Sequence, residues 1–423
     1  MTAVILVCVF AGLLSLNVPI AISLGMASIA ALLHNDLGLA MIPSNVFSAT
    51  SKFALLAVPF FILAGNIMEK SGISHKLIDF AQALVGHRKC GLALVCVVVS
   101  CFFAAISGSG PATVAALGTI IIPAMIANGY RKDTSSALMA SAGAIGIIIP
   151  PSITFVIFGA ISGTSIGKLF MAGVIPGLLV GLGLAVAAMW ASRNSPLKLL
   201  PKASTADVWR AFKDAFWGLM MPVIILGGIY GGIFTPTEAA AISAVYGFAV
   251  GFFIYRTLKV KEFYDMADSL AQTAVVMFIM ATASLFAWVM TVEGVASASS
   301  KLLVNVSNGN PILFLMILNV LLLAAGCVLD TASALYIFAP IYVPAGIAMG
   351  VDPVHLGVIS IVNLAIGLVT PPVGVNLFMS CGIGGLNMKE IAKGLIPFLV
   401  SSILALLAIT YIPWLSLFLP GLM

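Results

Sequence analysis

Two stretches of this sequence decide its fold: Gly143-Ala-Ile-Gly-Ile-Ile-Ile-Pro-Pro-Ser152 and, 221 positions later, Leu364-Ala-Ile-Gly-Leu-Val-Thr-Pro-Pro-Val-Gly-Val-Asn376. Each is apolar enough to lie in a membrane, yet each contains a Pro-Pro pair. Proline lacks a backbone N–H and clashes with the preceding turn, so the pair must unwind a helix. Within a bilayer, unwound backbone is tolerated only where protein or a watery cavity satisfies it. The sequence therefore predicts two helices that break at a site inside the membrane.

The two breaks belong to a longer repeat at the same offset. Eight glycines and prolines recur without a gap, far more than the 40 glycines and 21 prolines of the chain would match by chance. The first copy contains Pro123, Gly129, Gly146, Pro150, Pro151, Gly163, Gly173 and Pro176, and the second contains Pro344, Gly350, Gly367, Pro371, Pro372, Gly384, Gly394 and Pro397. Paired interruptions in corresponding halves of a membrane chain indicate the binding site of a secondary transporter.

The composition is typical of a polytopic membrane protein. Of the 423 residues, 61% are hydrophobic and 8% are charged, and most apolar runs approach the about 20 residues that a membrane-spanning helix needs. We predict an all-α fold with a first half at 1–191, a cytoplasmic linker at 192–214 and a second half at 215–423. The bilayer is the expected surrounding. Nucleic acid is not an expected partner, because no basic patch is interleaved with aromatic residues.

Each half is predicted to contain the same five parts. They are scaffold helices, an amphipathic arm at the membrane interface, a helical hairpin, a broken helix and a final helix. In the first half they cover 2–68, 71–86, 91–128, 135–160 and 169–191, and in the second half 216–291, 294–305, 312–349, 354–380 and 395–419. If each hairpin enters and leaves on one side, each half crosses the membrane an odd number of times and the second half is inverted.

The basic residues test this topology through the positive-inside rule. With 192–214 in the cytoplasm, 16 of the 19 Lys and Arg residues lie on that side. These are Lys70, Lys76, Arg88, Lys89, Arg131, Lys132, Arg193, Lys198, Lys202, Arg210, Lys213, Arg256, Lys259, Lys261, Lys389 and Lys393. Hairpins that spanned the membrane would scramble this bias. The sequence therefore predicts re-entrant hairpins and two inverted-topology repeats.

The hairpin tips carry hydroxyl groups and a carboxylate. The first tip reads Ala105-Ile-Ser-Gly-Ser-Gly-Pro-Ala-Thr113 and the second reads Gly326-Cys-Val-Leu-Asp-Thr-Ala-Ser333. Freed carbonyls and hydroxyls suit a hard cation such as sodium, whereas half-helix N-termini suit an anion. A carboxylate inside an apolar segment indicates function, which singles out Asp330. Its repeat counterpart is Ser109, so the two sites would share geometry but not charge.

These motifs predict two sodium sites and a substrate site. The first sodium site comprises Ser107, Ser109, Gly146, Ile149 and Pro151, and the second comprises Gly326, Asp330, Thr331, Gly367, Val369 and Thr370. The predicted substrate ligands are Ser109, Thr113, Ser152 and Asn376. The small hydroxyl and amide groups of Ser109, Ser152 and Asn376 favour an acidic sugar. No Lys or Arg lies in the interrupted core, so bound sodium, hydroxyls and helix dipoles would have to neutralise a substrate carboxylate.

Other polar residues have ordinary explanations. Glu238 and Glu293 lie at segment ends and are interpreted as interfacial. The four histidines, at 34, 75, 87 and 355, are expected in loops or arms without chemistry. The six cysteines show no metal-ligand spacing, so they are expected to be packing residues. Sodium is thus the expected coupling ion, and no cofactor or other metal is predicted.

The motifs resemble those of the large membrane (M) subunit of tripartite ATP-independent periplasmic (TRAP) transporters. The resemblance rests on the Ser-Gly-Ser-Gly-Pro-Ala-Thr tip, the Pro-Pro-Ser break, the Asp-Thr-Ala tip and the Thr-Pro-Pro break, and it covers essentially the whole chain. It implies a sodium-driven elevator transporter of the ion-transporter superfamily in a bacterial inner membrane. A periplasmic binding protein would deliver an organic acid, such as a dicarboxylate, a keto acid or sialic acid. A small four-helix Q subunit, expected as a separate chain, would brace the scaffold.

Three other functions are alternatives to a transporter that works with a binding protein. A stand-alone sodium/divalent-anion symporter would work without a binding protein. A channel is disfavoured, because sites made from two re-entrant tips occlude their ligands. An intramembrane enzyme is disfavoured further, because the sequence has no His-Glu-x-x-His motif, no paired buried acids and no nucleophile with a base. A G-x-x-x-x-G-K-[ST] loop is also missing from the sequence, so the chain is not expected to hydrolyse ATP itself.

Overall fold

The computed structural model describes residues 2–35, 38–193, 195–197, 200–258 and 267–423. Within these residues the chain is all-helical, and eight helices are long and apolar enough to cross a membrane. These eight are Phe53–Lys70, Gly110–Ala127, Ile166–Ala191, Thr205–Tyr230, Pro236–Ile254, Ser269–Val292, Thr331–Ala348 and Met388–Tyr411. Lys198, Lys259 and Lys261, which the topology prediction places in the cytoplasm, lie outside the described residues.

In chain order, the first half contains α1 (Thr2–Ser15), α2 (Ile20–His34), α3 (Met41–Thr50), α4 (Ala57–Lys70), α5 (Ile73–Val85), α6 (Gly91–Ser107), α7 (Gly110–Ala127), α8 (Lys132–Ala144), α9 (Ile153–Ser162) and α10 (Ile166–Ala191). The second half contains α11 (Thr205–Tyr230), α12 (Pro236–Ala249), α13 (Ala267–Val292), α14 (Val295–Val306), α15 (Pro311–Gly326), α16 (Thr331–Ala348), α17 (Pro353–Gly367), α18 (Val375–Gly384), α19 (Met388–Tyr411) and α20 (Trp414–Leu417). The five helices α6 to α10 recur in the same order as α15 to α19.

Helices α6 and α7, and likewise α15 and α16, form the two hairpins. In each hairpin, a residue near the start of the first helix contacts a residue just after the end of the second helix. The Ala93 backbone N–H donates to the Tyr130 hydroxyl oxygen over 3.4 Å, and the Ser307 hydroxyl donates to Met349 Sδ over 3.8 Å. Each hairpin therefore enters and leaves at the same end, as a re-entrant hairpin must.

Helices α8 and α9, and likewise α17 and α18, form the two broken helices. A single 3₁₀ turn at 145–147, followed by Pro150 and Pro151, separates the first pair, and Pro371 and Pro372 lie between the second pair. Both Pro-Pro peptide bonds are cis. The predicted class is thus confirmed: an all-α polytopic membrane protein whose two repeats each contain a re-entrant hairpin and a broken helix.

The helices form two groups. Helices α1–α4 and α11–α13 pack across the halves, with α4 along α12 and α13 against α2, α3 and α4, and we call this group the scaffold. Helices α6–α10 and α15–α19 interleave instead, with α8 of the first half against α18 and α19 of the second, and we call this group the hairpin domain. The arms α5 and α14 lie between the groups along the chain. Each arm follows a glycine in the left-handed region, Gly72 and Gly294.

The structure contains one helix that the sequence did not predict, and another helix is longer than predicted. Helix α3 covers a stretch that hydropathy assigns to no helix, and Pro43 is accommodated because it lies in the first turn. Helix α11 begins inside the predicted linker 192–214, because Ser204 and Asp207 form a capping box. The Asp207 N–H donates to Ser204 Oγ over 3.1 Å, and the Ser204 N–H donates to Asp207 Oδ2 over 3.2 Å.

The predicted last helix, 395–419, is wrong at both ends. Helix α19 begins earlier, at Met388, where Asn387 caps its first turn by accepting from the Glu390 N–H over 3.0 Å. It ends at Tyr411, because the residue before a proline is driven out of the helical region. That residue, Ile412, has φ −120° and ψ 82°, and Pro413 begins the short helix α20 after it.

A buried polar network lies in the second half of the hairpin domain. Asn363 Nδ2 donates to Asn319 Oδ1 over 2.8 Å, and Asn319 Nδ2 donates to Thr410 Oγ1 over 3.2 Å. These bonds join α17, α15 and α19. The repeat counterparts of the three residues are apolar: Ala142, Val98 and Met189. The network therefore distinguishes the second half from the first.

His355 is not the loop residue that its polarity predicts. It lies in the first turn of α17 with 2% of its surface exposed. Its Nδ1 is 2.6 Å from Ser416 Oγ and its Nε2 is 3.2 Å from the Thr410 carbonyl oxygen. Burial is accommodated because both ring nitrogens have partners, which hydropathy alone does not show.

Candidate functional site

A cavity of about 410 Å³ lies between the scaffold and the hairpin domain. The two tips contribute Ser107, Gly108, Ser109, Pro111, Ala112, Asp330, Thr331 and Ala332. The broken helices contribute Ile147, Ile153, Thr154, Ile157, Leu368 and Val375. The scaffold contributes Ile62, Gly65, Asn66 and Glu69 from α4, and Gln272, Val275, Val276 and Ile279 from α13. All four interrupted elements therefore face one space, as the paired breaks predict.

The first tip packs directly on the first break. Gly108 has φ +60°, and a Cβ there would lie 2.9 Å from the Pro151 carbonyl oxygen. A Cβ on Gly146 would lie 2.8 Å from the Ser109 carbonyl oxygen, which also accepts from Thr113 Oγ1 over 2.7 Å. The two glycines thus allow the backbone of the tip to meet the backbone of the break, with the carbonyl oxygens of Ser109 and Pro151 at the two contacts.

The second tip packs on the second break through a pair of glycines. A Cβ on Gly367 would lie 2.5 Å from Gly326 Cα, so α15 and α17 touch without side chains between them. The Val373 N–H donates to the Cys327 carbonyl oxygen over 3.3 Å, which ties the break to the tip. Thr370 Oγ1 donates into its own helix over 2.7 Å.

Asp330 caps helix α16. Its Oδ2 accepts from the Ser333 N–H over 3.0 Å, and its Oδ1 accepts a short hydrogen bond from the Ser333 hydroxyl. Ser109 holds the same position at the start of α7, but its side chain makes no capping bond. Capping alone is a structural reason for an acidic residue here. The carboxylate nevertheless lies in the cavity wall, at the position that the sequence predicts for an ion ligand.

The other predicted sodium-site residues lie close to these contacts. Ser107 ends α6 and lines the cavity, and Thr331 begins α16 and also lines it. The Ile149 side chain packs against α10, since a Cβ on Gly177 would lie 2.4 Å from Ile149 Cγ1. Val369 is buried. Residues of each predicted set are therefore brought together, with the first set on the first tip and break and the second set on the second.

Of the four predicted substrate ligands, only Ser109 lines the cavity. Thr113, Ser152 and Asn376 are each 0% exposed. Each donates to a backbone carbonyl, over distances between 2.7 and 3.1 Å. The Asn376 bond reaches Ala140 of α8, so this amide joins the second break to the first half. Their side chains hold the wall of the cavity together instead of forming its surface.

The sequence matches the family described as "Tripartite ATP-independent periplasmic transporter, DctM component" over residues 7–415. The chain belongs to this family. It is a TRAP transporter large permease subunit, so the family that the tip and break motifs resemble is confirmed, and the relatives are named as transporter subunits, not as enzymes. Membership and the candidate spans make it a multi-pass protein of the bacterial inner membrane.

Three relatives illustrate the range of this TRAP permease family. The C4-dicarboxylate TRAP transporter large permease protein DctM of Vibrio cholerae is 42% identical over 97% of this chain and 96% of its own. The isethionate TRAP transporter permease protein DctMQ of Oleidesulfovibrio alaskensis is 42% identical over 97% of this chain and 65% of its own. The sialic acid TRAP transporter large permease protein SiaM of Vibrio cholerae is 37% identical over 97% and 96%.

Among solved structures, this TRAP permease is similar to the Alcanivorax borkumensis YdaH transporter. The TM-score is 0.62, with 16% identity, over 91% of this chain and 88% of that chain. At this level of identity the likeness concerns the fold alone.

Sequence reasoning missed the scaffold side of the cavity. Asn66 Nδ2 donates to Ser269 Oγ over 2.8 Å and to Gln272 Oε1 over 3.3 Å, which joins α4 to α13. Glu69 lies one turn further along α4 and also lines the cavity. A signal was available, because two polar residues three positions apart share one face of an otherwise apolar helix. The repeat does not indicate these two residues, since their counterparts at the 221-residue offset are apolar.

Proposed function

We propose that this TRAP permease subunit imports an organic acid together with sodium, after a periplasmic binding protein delivers the acid. The observation that carries the proposal is the single cavity lined by both tips and both breaks. Such a site offers carbonyls, hydroxyls and half-helix N-termini inside the membrane, which suits an anion accompanied by cations. The proposed partners are the binding protein and a small membrane subunit of the kind that the name DctMQ joins to a relative.

Sodium coupling is proposed because of the charges that line the cavity. Among the described residues that line the cavity there are two carboxylates, Glu69 and Asp330, and no Lys or Arg. A further carboxylate would be costly to bind there unless a cation accompanied it. The first proposed sodium site uses backbone carbonyls, including those of Ser109 and Pro151, where the first tip packs on the first break. The second is proposed at the second tip and break, with Asp330 as its charged ligand.

A C4-dicarboxylate is the first substrate to test and sialic acid the second. The relatives named for these acids are 42% and 37% identical to this chain. The preference for an acidic sugar rests on Ser109, Ser152 and Asn376, and the last two side chains are engaged with backbone carbonyls. Ser107, Ser109 and Thr331 are then the hydroxyl residues that the tips offer to a ligand.

We propose an elevator movement of the hairpin domain past the scaffold. The support is the division of the fold: the scaffold helices of both halves pack on one another, and the interrupted elements pack among themselves. The arms α5 and α14 lead from one group to the other and would set the height of the scaffold in the membrane. The small subunit would dock on the scaffold, because docking on the moving group would obstruct it.

Reconstitution into liposomes tests the proposal. The chain and its small membrane subunit are reconstituted, and uptake of labelled succinate or sialic acid is measured with the binding protein outside. We expect uptake to need both the binding protein and an inward sodium gradient, with potassium as the control cation. Uptake with sodium but without the binding protein would favour the stand-alone symporter. Uptake that ignored sodium would contradict the proposed coupling.

A further inference from the structure

The cavity lies against one half of each scaffold helix that lines it. Its lining residues from α4 run from Ile62 to Glu69, near the end of that helix at Lys70. Those from α13 run from Gln272 to Ile279, in the first half of Ala267–Val292. In the sequence, basic residues lie beyond the C-terminal end of α4 and before the N-terminal end of α13. By the positive-inside rule, the cavity therefore lies in the cytoplasmic half of the scaffold.

Glu69 is an unusual carboxylate in this position. It is half-buried in the last turn of α4 and lines the cavity. Asn66, one turn earlier on α4, donates instead to Ser269 and Gln272 of α13. Among the residues that the structure describes, the Glu69 carboxylate has no hydrogen-bond or salt-bridge partner, and the adjacent Lys70 is the charge that acts on it. A half-buried carboxylate that faces a cavity of a membrane protein without a hydrogen-bond or salt-bridge partner is costly, so a functional role is the default expectation.

The other carboxylates with described side chains have structural roles or are exposed. Asp133 pairs with Arg131 over 2.6 Å, and Glu293 accepts from Thr2 over 2.8 Å. Five belong to helix N-terminal caps: Asp207, Glu238, Asp330, Asp352 and Glu390. Asp79 and Asp214 are exposed. Among the carboxylates with described side chains, only Glu69 combines partial burial, a place in the cavity and the lack of a hydrogen-bond or salt-bridge partner.

We infer that Glu69 promotes substrate release by weakening anion binding at the cytoplasmic end of the movement. The hairpin tips carry the substrate, whereas Glu69 is fixed on the scaffold. In the proposed elevator, the tips meet Glu69 only when they lie against the cytoplasmic half of α4. A like charge at that point raises the free energy of the bound anion. Binding at the periplasmic end is left unchanged. The inference rests on the proposed function, since it needs the cavity to carry an anion.

The test replaces Glu69 by an isosteric neutral residue. Glu69→Gln and wild type are reconstituted into liposomes that contain succinate at a series of concentrations. Sodium-dependent exchange is started by adding substrate-loaded binding protein outside the liposomes. The binding protein engages only those molecules whose periplasmic face is outward. We expect Glu69→Gln to lower the half-saturating internal substrate concentration about tenfold, the effect of one moderate like-charge interaction. Half-saturation by the external binding protein should not change, and net uptake should slow because release becomes harder.

Two further variants make the result specific to charge and place. Asp79→Asn removes one exposed negative charge from the neighbouring arm α5, outside the cavity, and should behave like wild type. Glu69→Asp keeps the charge and should also retain the wild-type internal half-saturation.

Three results would overturn the inference. The first is an unchanged internal half-saturation in Glu69→Gln while transport persists, which leaves the proposed function standing. The second is an equal effect of Glu69→Gln and Glu69→Asp, which would assign the effect to side-chain shape. The third is no sodium-dependent exchange of either succinate or sialic acid by the wild type, in which case the proposed function fails and the inference fails with it.

Discussion

The two breaks share one backbone pattern but differ in exposure. Pro150 and Pro151 are buried, whereas Pro371 and Pro372 are exposed together with Val373. The Pro-Pro pairs and their offset are the same, so local chemistry does not cause the difference. The second break is also the one whose tip carries a carboxylate. The repeat therefore determines the positions of the two breaks, but it does not determine their solvent exposure.

Packing of the final helices explains the difference. Helix α10 covers the first break: a Cβ on Gly173 would lie 2.6 Å from the Ile148 carbonyl oxygen. At the repeat counterpart on α19, a Cβ on Gly394 would lie 2.7 Å from the Asp133 carbonyl oxygen, at the start of α8. The two equivalent glycines thus press on different partners. The first break is covered by the final helix of its own half, whereas the equivalent glycine of α19 packs on α8 of the other half.

The largest expected effect comes from the glycine contact at the second break. In Gly367→Ala the added methyl would lie 2.5 Å from Gly326 Cα and 2.6 Å from its carbonyl carbon, and neither atom can rotate away. We expect loss of transport and a free energy of unfolding lower by about 1–3 kcal/mol. Liposome uptake and thermal unfolding in detergent measure the two effects.

The matched control for this substitution is Gly382→Ala in helix α18, where nothing lies within 4 Å of the added methyl. Alanine is the better helix former, so this variant should be as stable as wild type or more stable. Gly146→Ala makes the same change at the first break, where the methyl would meet the Ser109 carbonyl at 2.8 Å, and should cost less. Wild-type transport by Gly367→Ala would show that tip and break do not touch in the working protein.

The next effect separates the charge of Asp330 from its cap. Asp330→Asn keeps a good capping residue and removes the charge, whereas Asp330→Ala removes both, with an additional loss of about 1 kcal/mol in stability. If the charge holds sodium, Asp330→Asn should raise the sodium concentration for half-maximal uptake about tenfold, as the loss of one moderate charge interaction would. Ser109→Ala, which removes a hydroxyl at the counterpart position, should have a smaller effect on sodium dependence.

Ile149→Ala is the control for this comparison, because its proposed contribution is a backbone carbonyl that alanine retains. It should leave the sodium dependence close to wild type. A wild-type sodium response in Asp330→Asn, with a defect only in Asp330→Ala, would mean that the carboxylate serves as a cap and that the second sodium site is misplaced.

The sequence predicted the parts of the fold that depend on local backbone chemistry. Pro-Pro pairs unwind helices wherever they occur, so the breaks at 150–151 and 371–372 could be read directly. Ser204 and Pro413 obey equally local rules, and their effects on α11 and α19 were readable but overlooked. The contacts between tip and break were expected only in outline, because Gly326 and Gly367 meet through tertiary packing that no local pattern encodes.

The candidate site was predicted less well for the same reason. The chemistry of Thr113, Ser152 and Asn376 predicts substrate ligands, yet each side chain is buried and bonded to a backbone carbonyl. Whether a hydroxyl faces a cavity or its own wall depends on the neighbouring helices. Glu69 was missed because it belongs to the scaffold, outside the repeat that directed attention to the tips. Polarity identifies which residues need a partner, whereas packing decides what that partner is.

The smallest expected effect uses two lysines to test whether the hairpin domain moves as a body. Lys52 Nζ donates to the Ala160 carbonyl oxygen over 2.9 Å, and Lys132 Nζ donates to the Gly385 carbonyl oxygen over 3.0 Å. Each lysine satisfies a carbonyl at the C-terminal end of the half-helix that follows a break, an interaction that stabilises a helix modestly. Lys132 belongs to the hairpin domain itself, whereas Lys52 precedes α4 on the scaffold. If the hairpin domain slides, the Lys52 bond must break in each cycle and the Lys132 bond need not.

We therefore expect Lys52→Gln to change the transport rate about two- to five-fold with little change in unfolding temperature. Lys132→Gln should lower stability by less than about 1 kcal/mol and leave the rate unchanged. Uptake rates and thermal unfolding of the two variants, measured side by side, give this comparison. Equal effects of the two substitutions on rate would count against sliding and would favour local gating around a fixed site.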